Sequence, residues 1–165
     1  MRYAEDLNYY QTVVHPAVSQ GEISELLENF GADAISTTTV QIGGQYAMMV
    51  RFQWEGKSYR FTFTPLICKN PDKVVSYGGK RRTALEQSRY QMGRIAAAFV
   101  KSILTAADTM PSALFGFLEL PGVSVQNGLP ITAGEMDPQQ LTGMLSLPSV
   151  IPQTNIVDGE IVNAK

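Results

Sequence analysis

Histidine, cysteine and tryptophan each occur once in this 165-residue chain, as His15, Cys68 and Trp54. One cysteine excludes an internal disulfide and a cysteine-based metal cluster, and it fits a reducing compartment. One histidine means that any serine or cysteine triad would have to be built around His15. That residue precedes Pro16 and has no neighbouring carboxylate or nucleophile, so it reads as a surface or capping residue. Long apolar runs are missing as well: nothing approaches the ~18 residues of a membrane span. The opening segment "MRYAEDLNYY" lacks a basic-then-apolar secretory pattern. These absences predict a folded, non-enzymatic, cytoplasmic protein with no cofactor, no metal and no membrane partner.

Basic residues are scarce at both ends. Residues 51–101 hold eleven of the thirteen Lys and Arg against three acids, a local balance of +8. Residues 1–50 and 102–165 each carry one cation and six acids, a balance of −5. Such segregation marks a contact with nucleic acid or another anion, unless the acidic ends fold back on the basic middle.

Hydrophobic periodicity supplies the elements. In "SQGEISELLENFGA", Ser19 and Glu22 form a capping box. Ile23, Leu26, Leu27 and Phe30 repeat at helical spacing, and Gly31 supplies a stop. The outer face of this helix is acidic, with Glu22, Glu25 and Glu28. In "QYAMMVRFQW" and "KSYRFTF" apolar residues alternate, as in half-buried strands. A two-residue Glu55-Gly56 turn pairs Phe52 with Tyr59, Val50 with Phe61 and Met48 with Phe63. For the preceding strand, a two-residue Gly43-Gly44 turn sets Gln41 opposite Tyr46. A three-residue loop, Gly43 to Gln45, instead pairs Ile42 with Tyr46 and Val40 with Met48, and is the expectation.

A connector follows, and then a helix expected from about residue 80 to 107. Leu85, Met92, Ile95, Ala96, Phe99 and Ile103 form its apolar stripe. After Pro111, "SALFGFLEL" predicts a short apolar helix ending at the Pro121-Gly122 turn. Asp137 and Pro138 suit the start of another short helix, and the remaining tail reads as loosely ordered. The expected architecture is α+β: a three-stranded antiparallel sheet against an amphipathic helix and a long helix, in the order α-β-β-β-α. Residues 1–18 form an N-terminal extension, 19–122 the core domain and 123–165 a C-terminal extension.

The stretch "VVSYGGKRRTALEQ" carries the candidate chemistry. It is not a nucleotide-binding P-loop, since Gly79-Lys80 leads into Arg81 and the position five before Gly79 is Val74. Glycines and cations at a helix start do hold the ingredients of anion binding. Lys80, Arg81 and Arg82 are therefore candidate phosphate contacts, extended by Arg89, Arg94, Lys57 and Arg60. Arg51 joins them because the strand register sets it opposite Arg60. Like charges so placed call for an acid, a bound anion or water between them.

The succession "EISELLENFGA", "MMVRFQWEGKSYRFTFTPL" and "EQSRYQMGRIAAAFVKSILTAAD", followed by "LELPG", resembles an uncharacterised protein family of phages, prophages and plasmids. The likeness spans roughly residues 20–122. Arg60-Phe61 matches that family's Arg-Phe, and Arg89 through Lys101 its basic helix. "MPSALFGFL" stands where the family usually has an acidic segment. The resemblance implies a mobile-element protein but no assigned activity. The element order is also similar to the double-stranded-RNA-binding domain, whose lysine-rich helix start contacts phosphates. The first helix here is acidic, and that domain's Gly-Pro-x-His loop motif is absent.

The expectation is a mobile-element accessory protein whose basic helix and strand pair contact nucleic-acid phosphates. The alternative is a protein-interaction module that binds a host or phage protein or assembles with itself as an oligomer.

Overall fold

The computed structural model describes residues 2–122, 128–139, 156–157 and 160–161. The chain divides into two compact units, Met1–Glu135 and Met136–Lys165. In the second, Asp137 caps the backbone N–H of Gln139 at a helical step, and strands Ile156–Val157 and Glu160–Ile161 pair antiparallel. The rest of the expected short helix and of the tail lies outside the described residues.

The first unit is the expected α+β arrangement. Helix α1 (Pro16–Phe30) leads into strands β1 (Asp33–Ile42), β2 (Gln45–Trp54) and β3 (Lys57–Phe63), ordered β1-β2-β3 in one antiparallel sheet. A separate hairpin, β4 (Val74–Tyr77) and β5 (Lys80–Thr83), precedes the long helix α2 (Ala84–Thr109). Both helices pack on one face of the sheet. There Ile23 and Leu27 of α1 and Met92, Ala96 and Val100 of α2 meet Met48, Val50, Phe52 and Phe61. Aromatic rings close the far part of this core: Phe61, Phe99 and Phe117 touch one another edge-on at centroid distances of 4.8–5.7 Å.

Helix α1 starts three residues before the expected capping box, and the reason is local. Pro16 at the first helical position has no N–H to satisfy and its φ is already helical. His15 serves as N-cap, its Nδ1 accepting the Ala17 N–H at 3.1 Å. Ser19 is instead fully buried, facing Gly93 of α2 at the helix crossing. An added Cβ at Gly93 would sit 3.3 Å from Ser19 and 3.4 Å from Pro16, so this glycine sets how closely the helices approach. Gly31 ends α1 in the left-handed conformation, as expected.

The β2–β3 register is the expected one, with Phe52 opposite Tyr59, Val50 opposite Phe61 and Arg51 opposite Arg60. The β1–β2 register is not. Gly43 and Gly44 adopt φ of +57° and +78°, the geometry of a tight two-residue turn, so Gln41 lies opposite Tyr46 and Val40 opposite Ala47. Turn geometry outweighs the apolar match because β1 is the sheet margin, where helix-facing positions need not be apolar. Thr37 and Thr39 occupy them, and Thr39 is exposed.

The segment after α2 also departs from expectation. Pro111–Phe117 is a single 3₁₀ stretch. Leu118 then turns extended and bridges Tyr59 of β3, while Glu119 donates its N–H to Ser58 and bridges Thr132. Two short extended pieces thus cover the β3 edge. Leu85, placed in the α2 stripe by periodicity, is 44% exposed, because the buried face of the first turns runs through Ala84, Gln87, Ser88 and Gln91 instead.

Residues 2–14 pack on α2 through two buried glutamines. The side-chain amide of Gln87 donates to the carbonyls of Tyr10 and Thr12 at 2.5 and 2.8 Å. That of Gln91 donates to Ala4 and Asn8 at 2.9 and 2.8 Å. Side-chain amides here satisfy carbonyls of a segment with almost no regular structure.

Candidate functional site

The suspected phosphate cradle has a different construction. Gly78 and Gly79 form the tight turn of the β4–β5 hairpin, with φ of +57° and +74°. Lys80, Arg81 and Arg82 belong to strand β5 and not to the start of α2. The helix begins at Ala84, and its first N–H groups are already taken. Ala84 donates to the Lys73 carbonyl at 2.8 Å, Leu85 to the Pro71 carbonyl at 3.0 Å and Glu86 to the Thr83 hydroxyl at 3.1 Å. The connector folds over the helix end and Thr83 caps it, so the donors that would cradle an anion are spent.

The eight candidate cations fall into three groups. Arg51, Arg60 and Arg94 are ion-paired. Glu119, its side chain only 4% exposed, takes two hydrogen bonds from Arg51 at 2.9 and 2.7 Å and lies 3.9 Å from Arg60. Arg60 also donates to Glu135 at 2.6 Å, and Glu135 holds the Thr132 N–H at 2.8 Å. The two acids relieve the Arg51–Arg60 repulsion in the outer face of the sheet. Arg94 pairs with Glu22 of α1.

Arg82 and Arg89 are stacked. Arg82 is buried, with its guanidinium 4.0 Å from the Tyr90 ring centre and donating to Gln87 at 3.1 Å. Arg89 lies 4.6 Å over the Tyr46 ring. Arg51, Arg60, Arg82 and Arg94 serve the fold. Lys57, Lys80 and Arg81 are exposed and have no carboxylate partner among the described residues.

The structure does not bring the eight together. Arg89 stacks on Tyr46 at the start of β2, while Lys57 pairs with Trp54 at its end. Eight residues of strand separate Tyr46 from Trp54, about 26 Å at ~3.3 Å per residue. The charge asymmetry is resolved in part within the chain. Every described ion pair joins the basic middle to an acidic end: Arg51 and Arg60 to Glu119 and Glu135, Lys69 to Asp6, and Arg94 to Glu22. Lys69 holds the Asp6 carboxyl below its usual range through a direct 2.6 Å hydrogen bond.

What the sequence did not single out is the free margin of the sheet. From Ser36 to Ile42, β1 runs seven residues without a charge, a proline or a glycine, and its one irregularity lies between Asp33 and Ser36. The tight turn makes Ile42 and Gln45 a hydrogen-bonded pair, so Thr37, Thr39 and Gln41 point their N–H and C=O groups away from β2. Among the described residues nothing bonds to these groups. Folded proteins usually blunt such an edge with lysine, proline or a bulge. An unbroken polar but uncharged run beside a Gly-Gly turn was the sequence signal.

Other chemistry finds little support. Among the described residues no cluster of three or more His, Cys, Asp or Glu is placed to hold a metal ion. No described helix is long and apolar enough to cross a membrane. The geometry therefore defines an α+β domain with one capped sheet edge and one that is open among the described residues. No family model, curated protein or solved structure matches the chain.

Proposed function

We propose that the chain is a non-enzymatic accessory protein, of the mobile-element type it resembles, that works by protein contact and pairs with a second copy of itself through β1. The observation that supports this reading is the open, charge-free β1 edge. A two-fold axis at Thr39 sets Thr37 opposite Gln41 and Thr39 opposite its own copy. Each such pair exchanges two hydrogen bonds, and no like charges meet. The two sheets would continue as one, an isologous contact of the commonest symmetry.

Sedimentation and light scattering of the purified protein test it. The expected result is a dimer that survives high salt and becomes a monomer in Thr39→Pro, which removes an outward N–H at an exposed edge. A monomer at every concentration, or a dimer indifferent to Thr39→Pro, overturns the reading.

Nucleic-acid binding keeps a narrower basis, the exposed Lys80 and Arg81 at the hairpin turn. Two phosphate contacts give a log–log salt slope of about −2. Fluorescence anisotropy of labelled single- and double-stranded DNA and RNA at two salt concentrations measures it, with Lys80→Ala/Arg81→Ala as control.

A further inference from the structure

Among the described residues Arg89 lacks the carboxylate that Arg51, Arg60 and Arg94 each have, and its Nε is buried without a hydrogen-bond partner. It forms one wall of an open groove of about 470 Å³ between the first turns of α2, the start of β2 and the connector after β3. Tyr46, Pro65, Leu66, Ile67, Cys68 and Leu85 are among its other lining residues. Ile67 and Leu85 are 53% and 44% exposed, so two large aliphatic side chains face solvent beside an unpaired guanidinium.

We infer that this groove docks an acidic, apolar peptide segment of a partner protein, with one carboxylate on Arg89 and aliphatic side chains on Ile67 and Leu85. Charge complementarity selects the carboxylate. A planar guanidinium already held over an aromatic ring loses little freedom on accepting one, and charge-assisted hydrogen bonds are the strong ones. Openness selects a peptide over a small apolar acid. Small-molecule sites bury about 70–90% of their ligand, whereas the half-exposed Ile67 and Leu85 leave one side of this groove to water. The site is separate from the β1 edge and does not depend on self-pairing.

The test uses the full chain and a fluorescein-labelled ten-residue peptide with one glutamate among leucines and serines, beside its glutamine counterpart. The glutamate peptide is expected to bind at least about tenfold tighter, the factor that corresponds to ~1.4 kcal/mol. Arg89→Gln should erase that preference, and Ile67→Ser should weaken both peptides equally. Bound peptide should also slow iodoacetamide alkylation of Cys68, which lines the groove.

Equal binding of the two peptides, an unchanged preference in Arg89→Gln, or no binding at all overturns the inference. So does protection of Cys68 by octanoate but not by peptide, which would assign the groove to a small acid. Should Arg89→Gln fail to fold, the glutamate-to-glutamine comparison on the parent protein and the exposed Ile67→Ser variant still decide.

Discussion

Glu119→Gln removes the charge that holds two arginines side by side in the sheet, and its cost can be worked from the geometry. The Arg51 arm is a two-point contact, but the Arg51 side chain is 42% exposed, so solvent screening limits its share to about 1 kcal/mol. The Arg60 side chain is 9% exposed. Stripping a buried charge of its partner costs about 3–5 kcal/mol. Glu135 stays at 2.6 Å and is itself half exposed, which reduces that share to about 2 kcal/mol. The expected loss is about 3 kcal/mol, or about 10 °C in Tm for a unit of this size. Thermal and urea melts of the parent and the variant measure it. The same change in an Arg51→Met/Arg60→Met background should cost far less. A loss under about 0.5 kcal/mol, the range of an ordinary surface substitution, would refute the reasoning, as would an equal loss in both backgrounds.

Gln91→Leu removes the amide donor shared by the Ala4, Leu7 and Asn8 carbonyls, at about 1–3 kcal/mol in all; hydrogen exchange and limited proteolysis should show residues 2–14 released before the sheet opens. Gly93→Ala gains about 1 kcal/mol of helix propensity. It also forces the α1–α2 crossing apart against Ser19 and Pro16, an overpacking cost of about 1–3 kcal/mol. A net destabilisation of about 1 kcal/mol in urea melts is expected. Burial raises the Tyr10 hydroxyl to about 12 from 10.0. The folded state thus holds this proton more tightly, so stability is flat below pH 10 and falls as pH rises from 10 toward 12. Tyr10→Phe should flatten the alkaline limb of the stability–pH curve and, because the hydroxyl has no partner among the described residues, raise stability at neutral pH by about 1 kcal/mol.

Helix α1, the β2–β3 hairpin and the body of α2 were legible in the sequence because their signals are local. Apolar residues repeat at 3.6 or 2, Glu55-Gly56 makes a two-residue turn, and a glycine stops α1. The Arg51–Arg60 juxtaposition followed from the same register. The start of α2 was not legible. "GGKRRTA" reads equally as a hairpin or as a helix start until Tyr77 is seen paired with Lys80 and Pro71 and Lys73 are seen receiving the helix N–H groups. The β1 register went the other way from its apolar pattern because only the assembled sheet shows that β1 lies at the margin.

Composition determined on its own that the chain folds with a sizeable core and that its charges are segregated. Tertiary structure alone decided what that segregation does, since the partners of Arg51, Arg60, Lys69 and Arg94 lie 59 to 75 residues away along the chain. Pairing over such distances depends on how the β3 edge, α1 and the N-terminal segment pack. A charge count along a sequence records none of that.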